Sequence, residues 1–130
     1  MVGWAAQTAI VYIVDDDRDV RQAFARLMRA AGLEPRPYDC AEEFLAEVCE
    51  SPRACLLLDI AMPNMTGPQV QARLNEGSIH LPVIAVSARD DEEIRSWTRR
   101  LGARMFLRKP VDDQALLDAI NWVIDHQAVK

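Results

Sequence analysis

The chain has 130 residues, half of them hydrophobic, enough for one compact domain with a buried core and too few for a second. Fifteen Lys and Arg against twenty Asp and Glu leave a net charge of -5, which excludes a general electrostatic grip on nucleic acid. No apolar run approaches the roughly 20 residues of a membrane span, and Cys40, Cys49 and Cys55 lack metal-ligand spacing, so the cysteines are expected to be reduced packing residues of a cytoplasmic protein.

Residues 1–8, with Trp4, read as a leader; the domain is expected over 9–127 and a short tail over 128–130. The first apolar run, 9–14 (AIVYIV), is continuous rather than alternating, as in a strand covered on both faces of a parallel sheet. A helical stripe follows, made by Val20, Phe24, Leu27, Met28 and Ala31, with Gly32 as its stop. The segment 34–38 is a weaker strand that Pro35 and Pro37 confine to an edge. A second helix is predicted over 41–49, with Phe44, Leu45 and Val48 inward, and then a strand over 54–58 (ACLLL).

Gly67 leads into a third helix over 68–74, closed near Gly77, and 82–86 (PVIAV) is the fourth strand. The fourth helix, 90–101, begins with acids, carries arginines late and stops at Gly102, matching the helix dipole at both ends. A short strand over 105–107 and a helix over 112–125, with Leu116, Ile120, Val123 and Ile124 on one face, complete the pattern. Strands alternating with helices predict an α/β, (βα)5 flavodoxin-like, doubly wound sheet of five parallel strands.

Ligands of such sheets bind beyond the carboxyl ends of the strands, where strand order reverses. The first strand ends in Asp15, Asp16 and Asp17, the third in Asp59, the fourth in Ser87 and the fifth in Lys109. In the order 2-1-3-4-5 the first and third strands are central neighbours, so their terminal acids converge. Clustered carboxylates repel one another, a cost that a divalent cation cancels, and an all-oxygen ligand set favours Mg²⁺. Asp16 and Asp59 are expected as direct ligands, Asp15 through water and the backbone carbonyl of Ala61 as a further oxygen. Asp17 is instead placed as the N-cap of the first helix. A carboxylate also serves as nucleophile in aspartyl-phosphate chemistry, and Asp59 is the candidate, with Lys109 neutralising the transferred oxygens and Ser87 donating a hydrogen bond.

Four motifs carry a resemblance: IVDDD ending at Asp17, LLLDIAMPNMTG over 56–67, VSA at Val86, and FLRKP over 106–110. In this order, at these strand ends, they resemble the receiver domains of two-component response regulators over nearly the whole chain. The resemblance implies that Asp59 takes a phosphoryl group from a sensor histidine kinase or phosphotransfer protein and that Asp15 and Asp16 hold Mg²⁺. It further implies that Ser87 and Phe106 form the switch pair, that the Lys109-Pro110 bond is cis, and that Ala61 and Arg89 affect the lifetime of the phosphorylated state. Such a domain catalyses only its own phosphorylation and dephosphorylation and is not otherwise an enzyme.

The segment DDQALLDAI is similar to the last receiver helix of FixJ-like transcriptional regulators, in which a DNA-binding domain follows the receiver. Either this chain works by protein contact alone or its output domain lies outside these residues. Outward tryptophans, Trp97 on the fourth helix and Trp122 on the fifth, point to a partner or homodimer contact through the fourth helix, fifth strand and fifth helix, or else to partly exposed packing. Phe106 is likewise either a switch or ordinary core. His80 and His126 lack ligand-spaced partners and are expected at the surface. Two competing readings are an Asp-nucleophile Mg²⁺-dependent phosphatase and a pseudo-receiver binding module. The first wants a second Asp where Ala61 stands; the second is at odds with a full set of site residues.

Overall fold

The computed structural model describes residues 8–49, 51–60, 66–89, 91–100 and 102–126. Residues 1–7 of the leader, with Trp4, Ala61 and the segment beyond His126 therefore lie outside the described residues. Five strands, β1 (Ile10–Val14), β2 (Glu34–Tyr38), β3 (Ala54–Asp59), β4 (Val83–Ser87) and β5 (Met105–Arg108), alternate with five helices. These are α1 (Arg18–Ala30), α2 (Ala41–Glu47), α3 (Gly67–Glu76), α4 (Glu92–Arg100) and α5 (Asp113–Asp125). The strands form one parallel sheet in the order β2-β1-β3-β4-β5, as predicted.

The continuous apolar runs are explained by two cores, one on each face of the sheet. Val11, Ile13, Cys55, Leu57, Ile84 and Val86 point toward α1 and α5, where they meet Met28, Leu116, Ile120 and Val123. The alternate residues Tyr12, Val14, Leu56 and Leu58 pack with Phe44, Val70 and Leu74 from α2 and α3. Because side chains alternate along a strand, β1 and β3 need apolar residues at every position to serve both cores. Edge strand β2 is less buried. Glu34 N–H donates to Ala9 O (2.9 Å), so the even-numbered residues of β2 face β1, and the nitrogens of Pro35 and Pro37 lie on the outer side.

Helix ends follow local chemistry. Asp17 caps α1 by accepting from Asp19 N–H and Val20 N–H, and Asp112 caps α5 by accepting from Ala115 N–H. Thr66 and Gln69 form a reciprocal capping box on α3. Gly32 (φ 81°) closes α1 in a Schellman motif, with Leu33 N–H on Met28 O and Gly32 N–H on Arg29 O.

Several expectations are corrected. Ala31 is exposed, as the C-cap of α1, and the buried small residue of that helix is Ala25, one turn-step off the predicted stripe. Helix α2 ends at Glu47, because Val48 turns to an extended ψ of 139°, and Cys49 lies beyond it. Gly77 keeps a right-handed backbone, and Ser78 (φ 58°) takes the left-handed position at the end of α3. The cysteines do not share one role: Cys55 is core, Cys40 is half-buried and Cys49 is exposed. Burial pushes the Cys55 thiol up to about 12, which keeps it protonated.

Candidate functional site

Each candidate side chain sits where a strand gives way to the next helix. β1 ends at Val14, and Asp15, 2% exposed, is the first residue beyond it. Its carboxylate accepts at Oδ1 from Asp17 N–H (2.9 Å) and at Oδ2 from the Lys109 ammonium (2.9 Å). Its carbonyl accepts from Arg21 Nη1 (2.8 Å), so the Arg21 side chain of α1 reaches back to the acidic run. Asp16 follows with its side chain exposed. Asp59 closes β3 and is 7% exposed, with Oδ1 at 3.8 Å from Lys109 Nζ.

Just beyond Asp59, Ile60 O accepts from Gly67 N–H (2.8 Å). A Cβ at Gly67 would stand 2.7 Å from Ile60 Cα, closer than real side chains approach, so only glycine lets α3 start against the end of β3. Lys109 follows β5, held by its N–H on Ser87 O (2.8 Å), and the Lys109-Pro110 bond is cis, as the resemblance implied. Ser87 is buried at the end of β4, and its Oγ accepts from Arg89 N–H (3.0 Å), which leaves the hydroxyl proton available to donate.

Carboxylate oxygens of Asp15, Asp16 and Asp59 lie within 4.8 Å of one another. Lys109 pairs with two of them, Asp15 and Asp59. Burial pulls its pKa down, but the Asp15 hydrogen bond and the charges of Asp59, Asp15 and Asp17 outweigh this and raise it, so the ammonium stays charged. Among the described residues the three carboxylates outnumber the Lys109 ammonium, leaving an excess of negative charge. That excess, with all-oxygen donors, fits a hard divalent cation. Both Asp15 oxygens are already engaged, whereas Asp16 is exposed toward solvent.

The remaining predicted residues are not among the groups that meet there. Phe106 is half-buried, neither fully inward nor free, with the Arg95 guanidinium 5.3 Å from its ring centroid. Trp97 and Trp122 are 42% and 49% exposed, and Trp122 stacks on His126 at 4.3 Å. His80 and His126 are both exposed. Sequence reasoning missed Arg21, whose role rests on a contact with a backbone carbonyl that no residue pattern announces.

A family model described as the response regulator receiver domain matches residues 11–121. The chain belongs to that family. This receiver is 36% identical over 111 residues to the transcriptional regulatory protein TdiR of Thauera aromatica, covering 85% of this chain and 49% of TdiR. It is 37% identical over 118 residues to the response regulator protein TmoT of Ectopseudomonas mendocina, covering 91% of this chain and 54% of TmoT. Among solved structures, the crystal structure of FixJ-N superposes with a TM-score of 0.84 at 28% identity, covering 95% of this receiver and 99% of that chain. The receiver spans about half the length of the curated relatives it matches. No helix among the described residues is long and apolar enough to cross a membrane.

Proposed function

We propose that this receiver accepts a phosphoryl group on Asp59 from a phosphohistidine of a sensor histidine kinase or phosphotransfer protein. The observation that carries the reading is the meeting of Asp15, Asp16, Asp59 and Lys109 at the ends of β1, β3 and β5. An Asp59 carboxylate oxygen forms the new bond to phosphorus, the phosphorus–nitrogen bond of the donor breaks, and the imidazole leaves with the bonding pair and takes up a proton. Lys109 holds a fixed positive charge beside the acceptor, where the incoming oxygens gather negative charge. Ser87 donates its free hydroxyl proton to the new phosphoryl oxygens from the neighbouring strand end.

Mg²⁺ is the cofactor the residues fit: Asp16 and Asp59 would hold it directly, Asp15 through water and Ala61 by its carbonyl, and it would neutralise charge on the transferred group. The domain occupies 9–127 and works in the cytoplasm. Phosphorylation shifts Ser87 and Phe106, and the α4–β5–α5 face with Trp97 and Trp122 reports the change to a partner, including a second copy of the receiver. With a net charge of -5 this chain has no direct part in DNA binding. In a regulator of the relatives' length the signal would pass to an output domain.

Intact mass after incubation with acetyl phosphate and Mg²⁺ tests the proposal. One added phosphoryl group is expected on the wild type and none on Asp59→Asn, which should keep its fold by circular dichroism. Label that persists on Asp59→Asn places the nucleophile elsewhere.

A further inference from the structure

α4 is fastened unlike the other helices. Among the described residues Thr98 is its one fully buried side chain, and α4 contributes none to either apolar core. Its C-terminus closes in a Schellman motif: Gly102 (φ 110°) places Ala103 N–H on Thr98 O (3.0 Å) and its own N–H on Arg99 O (3.0 Å). The second lone pair of the Thr98 carbonyl is taken from outside the helix, by Gln71 Nε2 of α3 at 3.3 Å.

Gln71 is 1% exposed, and its Oε1 has no hydrogen-bond partner among the described residues. The orientation of the amide is fixed by its neighbour, because a rotated amide would set oxygen against the carbonyl oxygen of Thr98. The Thr98 hydroxyl is no partner for Oε1 either, since it donates to Arg95 O (3.0 Å). A buried amide that spends an N–H on one carbonyl and leaves its acceptor bare is a poor way to stabilise an interior; an apolar side chain of the same size would serve at least as well.

We infer that Gln71 is the positioning residue of α4, setting where the helix sits against α3 through one directional bond to the Thr98 carbonyl. Because the Schellman bonds lie within α4 and its own turn, the Gln71 contact breaks without unravelling the helix. α4 is then free to shift as a folded rod. This goes beyond the phosphoacceptor reading and does not rest on it.

The test is Gln71→Met in the whole chain, a substitution that keeps the length of the side chain and removes both polar groups. Global stability in urea and helix content should hold or improve. Amide exchange over Glu92–Arg100 should quicken about three- to tenfold, while α5 amides keep their rates. Wild-type exchange over α4 overturns the inference, as does an equal acceleration of all helices with a loss of stability, which marks Gln71 as plain core. Gln71→Leu repeats the measurement should the methionine variant not fold, and failure of both to fold also overturns it.

Discussion

α4 and α5 flank β5 in the chain and each carries an exposed tryptophan, yet they are attached by opposite means. α5 buries Leu116, Ala119, Ile120, Val123 and Ile124 in the core it shares with α1. α4 buries Thr98, reaches α3 through the Gln71 amide and lays Arg95 over Phe106. Apolar burial is non-directional and costly to undo, whereas one polar contact is worth about 1 kcal/mol and specifies a position. The site touches both helices: β5 delivers Lys109 and runs on into α5, while β4 delivers Ser87 and runs on into α4. One side of the site is thus tied to a fixed helix and the other to an adjustable one.

The largest test of that contrast is a pair of truncations. Ile120→Ala should cost about 3 to 4 kcal/mol in urea unfolding, and Ile94→Ala, on half-buried α4, less than about 1.5 kcal/mol. Equal costs would dissolve the distinction. Mg²⁺ comes next. Held by acids that converge only in the folded chain, it should add about 1.4 kcal/mol at tenfold excess over its Kd. α5 amides should gain protection with global stability, and α4 amides, which open locally, should not. A flat melting temperature across a Mg²⁺ titration would count against the metal site.

The smallest effect lies on the pH axis. Lys109 has its pKa raised by folding, so its stabilising contribution is complete below the ordinary lysine value of 10.5 and is lost as pH rises through the higher folded value. The stability difference between wild type and Lys109→Met should therefore be level up to that pH and then shrink, by under about 1 kcal/mol. Cys55 adds its own alkaline decline, from 9.0 toward about 12, but it is common to both proteins and cancels. A difference that stays level at all pH would mean that the ammonium gains nothing from its carboxylates.

Much of this was readable from residues. Strand positions came within a residue or so because β1, β3 and β4 are continuous apolar runs up to the polar residues Asp15, Asp59 and Ser87 at their carboxyl ends. Asp15, Asp16, Asp59 and Lys109 were found because topology forces strand ends together, and the cap at Asp17 followed from its side chain alone. The misses share one cause. Gln71 and Arg21 act on backbone carbonyls 27 and 6 residues away, and a carbonyl leaves no trace in a sequence. Ala31 and Cys49 failed for a related reason, since helical periodicity locates a stripe but not the residue at which the helix stops.

The outward nitrogens of β2 carry a consequence for the fate of the molecule at high concentration. An open sheet edge is a template for the strand of another copy, and it recruits that strand through N–H donors. Pro35 and Pro37 occupy the positions whose donors would face outward, so that margin of the sheet has acceptors but no hydrogens to offer there. A strand from another copy would find no donors at those two positions, so growth of the sheet across β2 is disfavoured.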